Sequence, residues 1–290
     1  MKVEILERRR VTTPLGIRFW DAAMDRPVTS GLRVTARPEN LAKPVAAAQP
    51  TRSGIYAFHH LPNLRDFEYA DHDFGPDMPA PATKRYVVRV EDGLGRFLPA
   101  AFVVSAPFAG IFPAGHLIQS PPAPIGFDLF SSVTRRLPGG FAEVHATLLD
   151  VSRNPPVPAA HVVLEISVGP QQHYHGVSDA AGKAVVCFPY PPITIVLAQS
   201  PPSGTMIALS EQTWNVRVRL RYSPAAVMRL TGVPEPNLRT ILEQPLGVAF
   251  PDPGAAGVSE FEQKIFFGKP TFLRTSGQPE LRISPTGSPP

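Results

Sequence analysis

Proline is the residue that most limits what this chain can fold into, since it supplies 36 of the 290 positions, where an average protein has about 5%. Its ring fixes φ and it has no N–H to donate, so it is kept out of helix interiors and central strands. Prolines spread along the whole chain therefore favour many short strands separated by rigid turns. Because hydrophobic residues make up 43% of the sequence, enough to build real cores, the composition predicts an all-β protein.

An internal repeat organises the sequence. The segment IRFWDAAMDRPVTSGLRVTA at 17–36 aligns without a gap to ATLLDVSRNPPVPAAHVVLE at 146–165. Each copy predicts a strand that ends at an Asp, a turn in which the carboxylate accepts backbone N–H groups two residues on, and a second strand. A turn glycine then precedes another alternating strand in both copies. The aligned pairs are Asp21 and Asp150, Pro27 and Pro156, Val28 and Val157, Val34 and Val163, and the glycines Gly54 and Gly182.

The two copies predict two tandem antiparallel β-sandwich domains of about 110 to 130 residues each. The expected organisation is a first domain at 1–106, an apolar proline-rich connector at 107–125, a second domain at 126–275 and a flexible tail at 276–290. Strands are expected at 2–6, 15–20, 32–37, 55–58, 85–91 and 100–105, and at 142–149, 161–168, 183–188, 213–222 and 263–267. Short proline-bounded helices are expected near 224–244.

The segment TWNVRVRLRY at 213–222 has the clearest strand alternation. One face carries Trp214, Val216, Val218 and Leu220, and the other carries Asn215, Arg217, Arg219 and Arg221. The pattern predicts a strand with one dry face and one strongly basic face. The basic face is interpreted either as a solvated outer surface or as a contact for an acidic partner.

Histidines are the main candidates for chemistry. His173 and His175 in QQHYHG would share one side of a strand and form half of a zinc site, with His161 and His145 as further candidate ligands. The segment RDFEYADHDFGPD at 65–77 is interpreted as a solvated loop or as a calcium site. The sequence contains no nucleophile elbow, phosphate-binding glycine loop or H-E-x-x-H helix. We therefore expect a protein that is not an enzyme and that has no cofactor and no bound metal.

Charge and cysteine content exclude further classes. The formal charge of +4 is small, and the basic runs at 8–10 and 135–136 lack interleaved aromatic residues, so nucleic-acid binding is not expected. The sequence has no apolar stretch long enough to span a bilayer, and the charged N-terminus lacks a signal-peptide core. The single cysteine, Cys187, lies in the apolar run KAVVCFPY and is predicted to be buried. These features indicate a cytoplasmic protein without disulfides.

Two resemblances narrow the interpretation. The order of a strand, the D…PV…V segment and SDAAGK resembles transthyretin-like, carboxypeptidase-regulatory-like sandwiches, most clearly in the second copy. The phrases GLRVTARPEN, RSGIYAFHHLPNLRDFE, YVVRVEDGLGRFLPAAFVVSAPFAGIF, GKAVVCFPYP and EQTWNVRVRLRY resemble proteins encoded beside the sheath, tube and terminator genes of extracellular contractile injection systems, which are phage-tail-like particles.

The second resemblance implies a structural or adaptor subunit at the cap or terminator, the baseplate or the sheath end. Its partners would be sheath, tube, cap or baseplate proteins in a symmetric oligomer that assembles in the cytoplasm. The expected interaction residues are Trp214, Arg217, Arg219, Arg221, Phe108, Ile111, Phe112, Leu281 and Ile283. Two alternatives stay open: a carbohydrate- or protein-binding display module, with Trp20 or Tyr174 forming a sugar platform, and an accessory domain of an enzyme.

Overall fold

The structure, a computed structural model, describes residues 11–69, 82–108, 110–112, 127–192 and 211–286. The first part contains the strands β1 Leu15–Asp21, β2 Arg26–Pro27, β3 Leu32–Pro38, β4 Ala46–Ala47, β5 Gln49–Pro50, β6 Ile55–Phe58, β7 Lys84–Asp92, β8 Ala100–Ala106, β9 Ile111–Phe112 and β10 Phe127–Leu129. The second contains β11 Phe141–Asp150, β12 Val157–Pro158, β13 Val163–Val168, β14 Gln172–Val177, β15 Lys183–Pro189, β16 Thr213–Arg221, β17 Gly247–Phe250, β18 Glu260–Phe266, β19 Thr271–Leu273 and β20 Leu281–Pro285. The helices are α1 Arg65–Tyr69 and α2 Leu238–Leu242.

The predicted all-β fold is confirmed, and so are the short helices near 224–244. They are a 3-10 turn at Pro224–Ala226 and α2, whose first turn is capped by the side chain of Asn237. Helix α1 was not expected, because five residues are too few to show a helical period. Proline acts as the composition predicted: β2, β3, β5, β12, β15 and β20 each end at a proline.

Most of the predicted strands lie within one or two residues of observed ones. The strand expected at 161–168 begins later, at Val163, because His161 adopts a left-handed turn conformation with φ of 60°. The strand expected at 263–267 begins earlier, at Glu260. The strand expected at 2–6 lies outside the described residues.

Each half of the chain forms a sandwich of two sheets with similar strand pairing, to which the second half adds β17 beside β20. In the first, β10-β1-β6-β5 packs against β4-β3-β7-β8; in the second, β12-β11-β20-β17, with β15 also paired to β11, packs against β14-β13-β16-β18. The opening strand pairs antiparallel with β6 or β15 and parallel with the two closing strands, β9 and β10 or β19 and β20. The repeat therefore extends over the whole sandwich, and parallel closing strands were not foreseen.

The turns that follow the opening strand occur in the same order in the two halves. Asp21 and Asp150 are both buried at the end of the opening strand. Oδ1 of Asp150 accepts the N–H of Ser152 at 3.0 Å, two residues on as predicted, whereas Oδ1 of Asp21 accepts the N–H of Met24 at 3.2 Å, three residues on. Gly182 has φ of 74° in the turn where Oδ1 of Asp179 accepts the N–H groups of Ala181 and Lys183 at 2.9 Å. That turn is the predicted hairpin.

The ungapped alignment is wrong by one residue at its end. Val34 faces the first core, but Val163 does not face the second; Leu164 does. Successive side chains of a strand point to opposite faces, so a shift of one residue exchanges the two faces. Val163 instead packs into the core of the first sandwich.

Two predicted boundaries are corrected by short strands. Phe108 and β9 pack on the first core, and β10 completes its sheet. The described part of the expected 107–125 connector therefore belongs to the first sandwich, whereas residues 109 and 113–125 lie outside the described residues. The expected tail at 276–290 contains β20, which lies between β11 and β17. The sandwiches are joined by residues 131–140.

The two sandwiches share buried contacts. Residues 223–246, the connection between β16 and β17, are called the clasp here because they reach across to the first sandwich. Leu230 of the clasp packs on Val87 and Ala101, and Leu238 and Ile241 join the first core. Through Leu230, the clasp thus covers part of the outer face of the sheet formed by β4, β3, β7 and β8.

Candidate interaction surface

The outer face of the sheet β14-β13-β16-β18 carries the arginines and the histidine pair that the sequence singled out. On β16, Val216, Val218 and Leu220 are buried, whereas the arginines lie on the opposite face, as predicted. The register places His175, Glu165, Arg219 and Glu260 in one row across the four strands, and His173, Ser167, Arg217 and Glu262 in the next row. These eight residues are called the charged face.

Glu165 is the centre of the charged face. It is only 8% exposed, and its carboxylate lies 3.5 Å from Nε2 of His175 and 3.9 Å from Nη2 of Arg221. Hydrogen bonding to His175 is the main reason that the pKa of Glu165 lies below its usual value. His173 lies further along, with Nδ1 at 2.8 Å from Oγ of Ser167 and 3.7 Å from the Glu165 carboxylate.

The arginines of β16 are paired, so the prediction of a strongly basic face is wrong. Nε of Arg219 contacts Glu260 directly, and Nη1 of Arg217 lies 3.7 Å from the same carboxylate. Arg221, two residues further along β16, lies near Glu165. Neighbouring strands supply these acids, and an acidic partner is therefore not required to balance the strand.

His173 and His175 have the orientation predicted for half of a zinc site, but the further candidate ligands, His145 and His161, lie elsewhere. His173 and His175 do share one side of β14 and both face Glu165. His145 lies on β11 in the other sheet, where it stacks on Phe272, and His161 lies at the junction of the sandwiches. Within the described ranges, no group of three or more His, Cys, Asp or Glu side chains is arranged to hold a metal.

Aromatic side chains gather at one end of the second sandwich. Trp214 faces inward beside Tyr190, with ring centroids 5.4 Å apart, and Tyr190 lies 4.8 Å from Phe267. Burial raises the pKa of Tyr190. Phe266 and Phe272 flank the turn 267–270 between β18 and β19 and are 40% and 52% exposed. These five residues are called the aromatic end.

Two hydrogen bonds fix the backbone of the turn, and a stacking and a cation-π contact hold the ring of Phe272. Oη of Tyr190 donates to the carbonyl of Phe266 at 3.2 Å and accepts the N–H of Gly268 at 2.9 Å. His145 stacks on the ring of Phe272 at 5.3 Å, and the guanidinium of Arg274 lies over the same ring at 5.3 Å. Of this cluster only Trp214 was expected, because Tyr190 reaches the turn at 267–270 from a distant part of the sequence.

The remaining expected interaction residues are structural. Leu281 and Ile283 are fully buried in β20, so they are core residues and not a docking strand. Phe108, Ile111 and Phe112 are half-buried against the first sandwich.

The two aromatic side chains expected to form a sugar platform also contact other residues of the protein. Tyr174 stacks on Phe188 with centroids 4.8 Å apart and packs on the second core. Trp20 donates its Nε1 hydrogen bond to Asp25 at 3.3 Å.

In the acidic segment near α1, Glu68 is turned inward, whereas Asp66 is exposed. Glu68 is fully buried; Oε2 accepts the N–H of His60 at 2.9 Å, and the rings of His59 and His60 each lie 3.3 Å from the carboxylate. Glu68 therefore ties the loop to α1 and does not face solvent as a calcium ligand would. Residues 70–77 of the same segment lie outside the described residues.

A cavity of about 260 Å³ lies at the junction of the two sandwiches, between Leu98 and Phe130 on one side and Val177 and Leu238 on the other. Two of its polar side chains already have protein partners: Oγ of Ser178 donates to the carbonyl of Ala159, and Oδ1 of Asp179 accepts the N–H of Ala181. Burial lowers the pKa of His161, which lines the cavity.

No helix in the described part of the chain is both long and apolar enough to cross a bilayer. No protein-family model matches the sequence, and no curated protein is significantly similar to it.

Among solved structures, the chain is similar to the minor pilin GBS52 of Streptococcus agalactiae, at 9% identity, over 96% of this chain and 98% of that one, with a TM-score of 0.27. A C-terminal fragment of the pilus adhesin SpaC of Lactobacillus rhamnosus GG matches at 8% identity, over 95% of this chain and 100% of the fragment, with a TM-score of 0.21. Superpositions of this quality do not establish a shared fold.

Proposed function

We propose that this chain is a non-enzymatic structural subunit that binds neighbouring protein subunits in a phage-tail-like contractile injection particle. The observation that carries the proposal is the aromatic end, where Phe266 and Phe272 are exposed beside Arg274. Exposed aromatic and arginine side chains are enriched in protein interfaces and supply most of their binding energy. The particle itself is the assembly implied by the sequence resemblance.

The buried contacts between the two sandwiches support a structural role for the chain. The clasp, the shared core and the segment 131–140 hold the two sandwiches together by buried contacts. A subunit of this kind presents two unlike ends at a fixed separation, which is what a symmetric ring requires of its members. The proposal includes cytoplasmic assembly with sheath, tube, cap or baseplate proteins.

The test compares three forms of the tagged chain in its native host. Wild type is expected to co-purify with sheath and tube proteins, identified by mass spectrometry, and with rod-shaped particles in negative stain. The double variant Phe266→Ser and Phe272→Ser is expected to lose them. Leu94→Ser, which changes a 67% exposed side chain of the first sandwich, serves as the matched control and should retain them.

Thermal melts of all three forms establish that folding is unchanged. A wild-type chain that purifies as a monomer without sheath or tube proteins would refute the structural role. Retention of the particles by the double variant would instead refute the aromatic end as the contact.

A further inference from the structure

The cavity at the junction of the two sandwiches has mostly apolar walls. Leucine, isoleucine, valine, phenylalanine and proline side chains of the first sandwich, the second sandwich and the clasp line it, among them Phe130, Val177 and Leu238. Pockets for small molecules are mostly apolar and occur preferentially where domains meet. The volume of about 260 Å³ exceeds the roughly 150 Å³ that holds benzene in an engineered apolar cavity, so one ring with substituents fits.

Several polar side chains of the cavity wall are already bonded within the protein. Oγ of Ser178 also accepts the N–H of Val162 at 2.9 Å. Oδ1 of Asp179 accepts two backbone N–H groups of its own turn. The two carboxylate oxygens of Glu235 accept hydrogen bonds from Nε and Nη2 of Arg89, each at 2.8 Å. These side chains therefore shape the wall more than they attract a ligand.

The ring of His161 differs from them, because it has no partner. Neither ring nitrogen has a hydrogen-bond or ion-pair partner among the described residues, and both are accessible to a molecule the size of water. The backbone of His161 is fixed: its N–H donates to the carbonyl of Ser178 at 3.2 Å, and its carbonyl accepts Nε2 of Gln244 at 2.7 Å. Because burial lowers the pKa of His161, the imidazole is neutral at pH 7 and can both donate and accept a hydrogen bond.

The charges of the wall determine which ligands are compatible with the cavity. Three carboxylates line it, those of Asp128, Asp179 and Glu235, and none of the described lining residues is a lysine or an arginine. Like charges repel most strongly where water is scarce. The cavity therefore disfavours an anion, whereas an uncharged molecule brings no such penalty.

We infer that this cavity binds a small uncharged molecule with an apolar ring and a hydroxyl group, the ring lying between Phe130 and Leu238 and the hydroxyl bonded to His161. The inference is independent of the proposed assembly, because it rests on the junction of the sandwiches and not on the aromatic end.

The first measurement titrates three fluorinated probes separately into the full chain at pH 7 and follows them by fluorine NMR. The probes are 4-fluorophenol, fluorobenzene, which lacks the hydroxyl, and 4-fluorobenzoate, which carries a negative charge in its place. We expect 4-fluorophenol to bind saturably and about three- to tenfold more tightly than fluorobenzene, as one hydrogen bond allows. We expect no saturable binding of 4-fluorobenzoate.

A first pair of variants tests the location. Ala180 and Ala181 are adjacent exposed residues of one turn, but only Ala180 lines the cavity. Ala180→Phe places a ring at the cavity wall and should weaken binding of 4-fluorophenol about tenfold or more. Ala181→Phe is the matched control and should leave the affinity within about twofold.

A second pair tests the hydrogen bond. His161 has a φ of 60°, which glycine adopts readily, so His161→Gly removes the imidazole without straining the backbone. The variant should bind 4-fluorophenol about three- to tenfold more weakly and fluorobenzene as wild type does. His60→Gly, at an exposed position with a φ of 58° outside the cavity, should bind both probes as wild type does.

Thermal melts establish that each variant is folded. The inference is overturned if 4-fluorophenol does not bind saturably, if 4-fluorobenzoate binds as tightly, or if Ala180→Phe binds like wild type. It is also overturned if His161→Gly leaves the preference for 4-fluorophenol over fluorobenzene unchanged, because the hydroxyl would then not contact the imidazole.

Discussion

Asp21 and Arg135 form a two-point ion pair at the junction of the two sandwiches. Nη1 of Arg135 lies 3.0 Å from Oδ1 of Asp21 and Nη2 lies 2.5 Å from Oδ2, and the two side chains are only 5% and 6% exposed. The guanidinium also lies 4.8 Å from the ring centroid of Phe97. The segment between the sandwiches is therefore fixed to the end of β1 and does not act as a flexible linker.

Breaking this pair should strongly destabilise the protein. Replacing Arg135 by Ala leaves the Asp21 carboxylate buried without its partner, which should lower the free energy of unfolding by about 3–5 kcal/mol. Urea denaturation measures the difference. The same replacement at the exposed Arg136 should change it by about 0.5 kcal/mol or less. Equal losses at the two positions would contradict a buried, specific pair.

The burial of Ile283 in β20 predicts that this strand contributes to the stability of the fold. Ile283→Ala removes a fully buried side chain between β11 and β17 and should cost about 2–5 kcal/mol of stability. Arg282→Ala, one residue earlier and on the opposite face, serves as the control and should cost much less. Thermal or urea unfolding distinguishes them, and a neutral Ile283→Ala would show that β20 is not part of the fold.

The contacts of Glu165 on the charged face predict how the stability of the fold depends on pH. Because the pKa of Glu165 is lowered in the folded protein by His175, Arg221 and His173, the ionised carboxylate stabilises the fold above its ordinary pKa. That contribution is lost as the pH falls through the folded-state value. Glu165→Gln should therefore be less stable than wild type at pH 7, and the difference should shrink in the acid range below the ordinary glutamate pKa of about 4.3.

Chemical denaturation at a series of pH values measures this difference. Glu262→Gln, at an exposed position of the same face, provides the control and should show little change. A stability gap for Glu165→Gln that grows on acidification would contradict the assigned direction.

Cys187 should report on opening of the junction. It packs with Val185 against Ala23, and burial raises the pKa of its thiol to about 11. Since the thiolate is the reactive form, a disulfide reagent at pH 8 should label the native protein very slowly and the denatured protein rapidly. Arg135→Ala should accelerate labelling in native conditions. Rapid labelling of the folded wild type would show that the junction does not bury Cys187.

The sequence predicted the features that depend on near neighbours. The turn at Asp179 and Gly182, the Asp at the end of each opening strand and the alternation of β16 all involve residues a few positions apart. Proline content also predicted the short strands correctly, since several strands end at a proline.

The features that the sequence did not predict depend on distant partners. Strands β9, β10 and β20 are short, lie next to Pro or Gly, and pair with β1 or β11, so each resembles a linker when considered alone. The arginines of β16 suggested a basic surface, because Glu165 and Glu260 reach them only through strand pairing. The aromatic end was missed for the same reason, since Tyr190 contacts Trp214 and Phe267, which are distant from it in the sequence.

The clasp affects the order in which the two sandwiches can fold during synthesis. Leu238 and Ile241 complete the core of the first sandwich, although they follow its last strand, β10, by a long stretch of chain. Ribosomes release the N-terminal half first, at about 5–20 residues per second. The nascent first sandwich therefore waits with part of its apolar surface uncovered until the clasp emerges. Chaperones have their clearest binding opportunity in that interval, and folding of the first half finishes only when most of the second has been made.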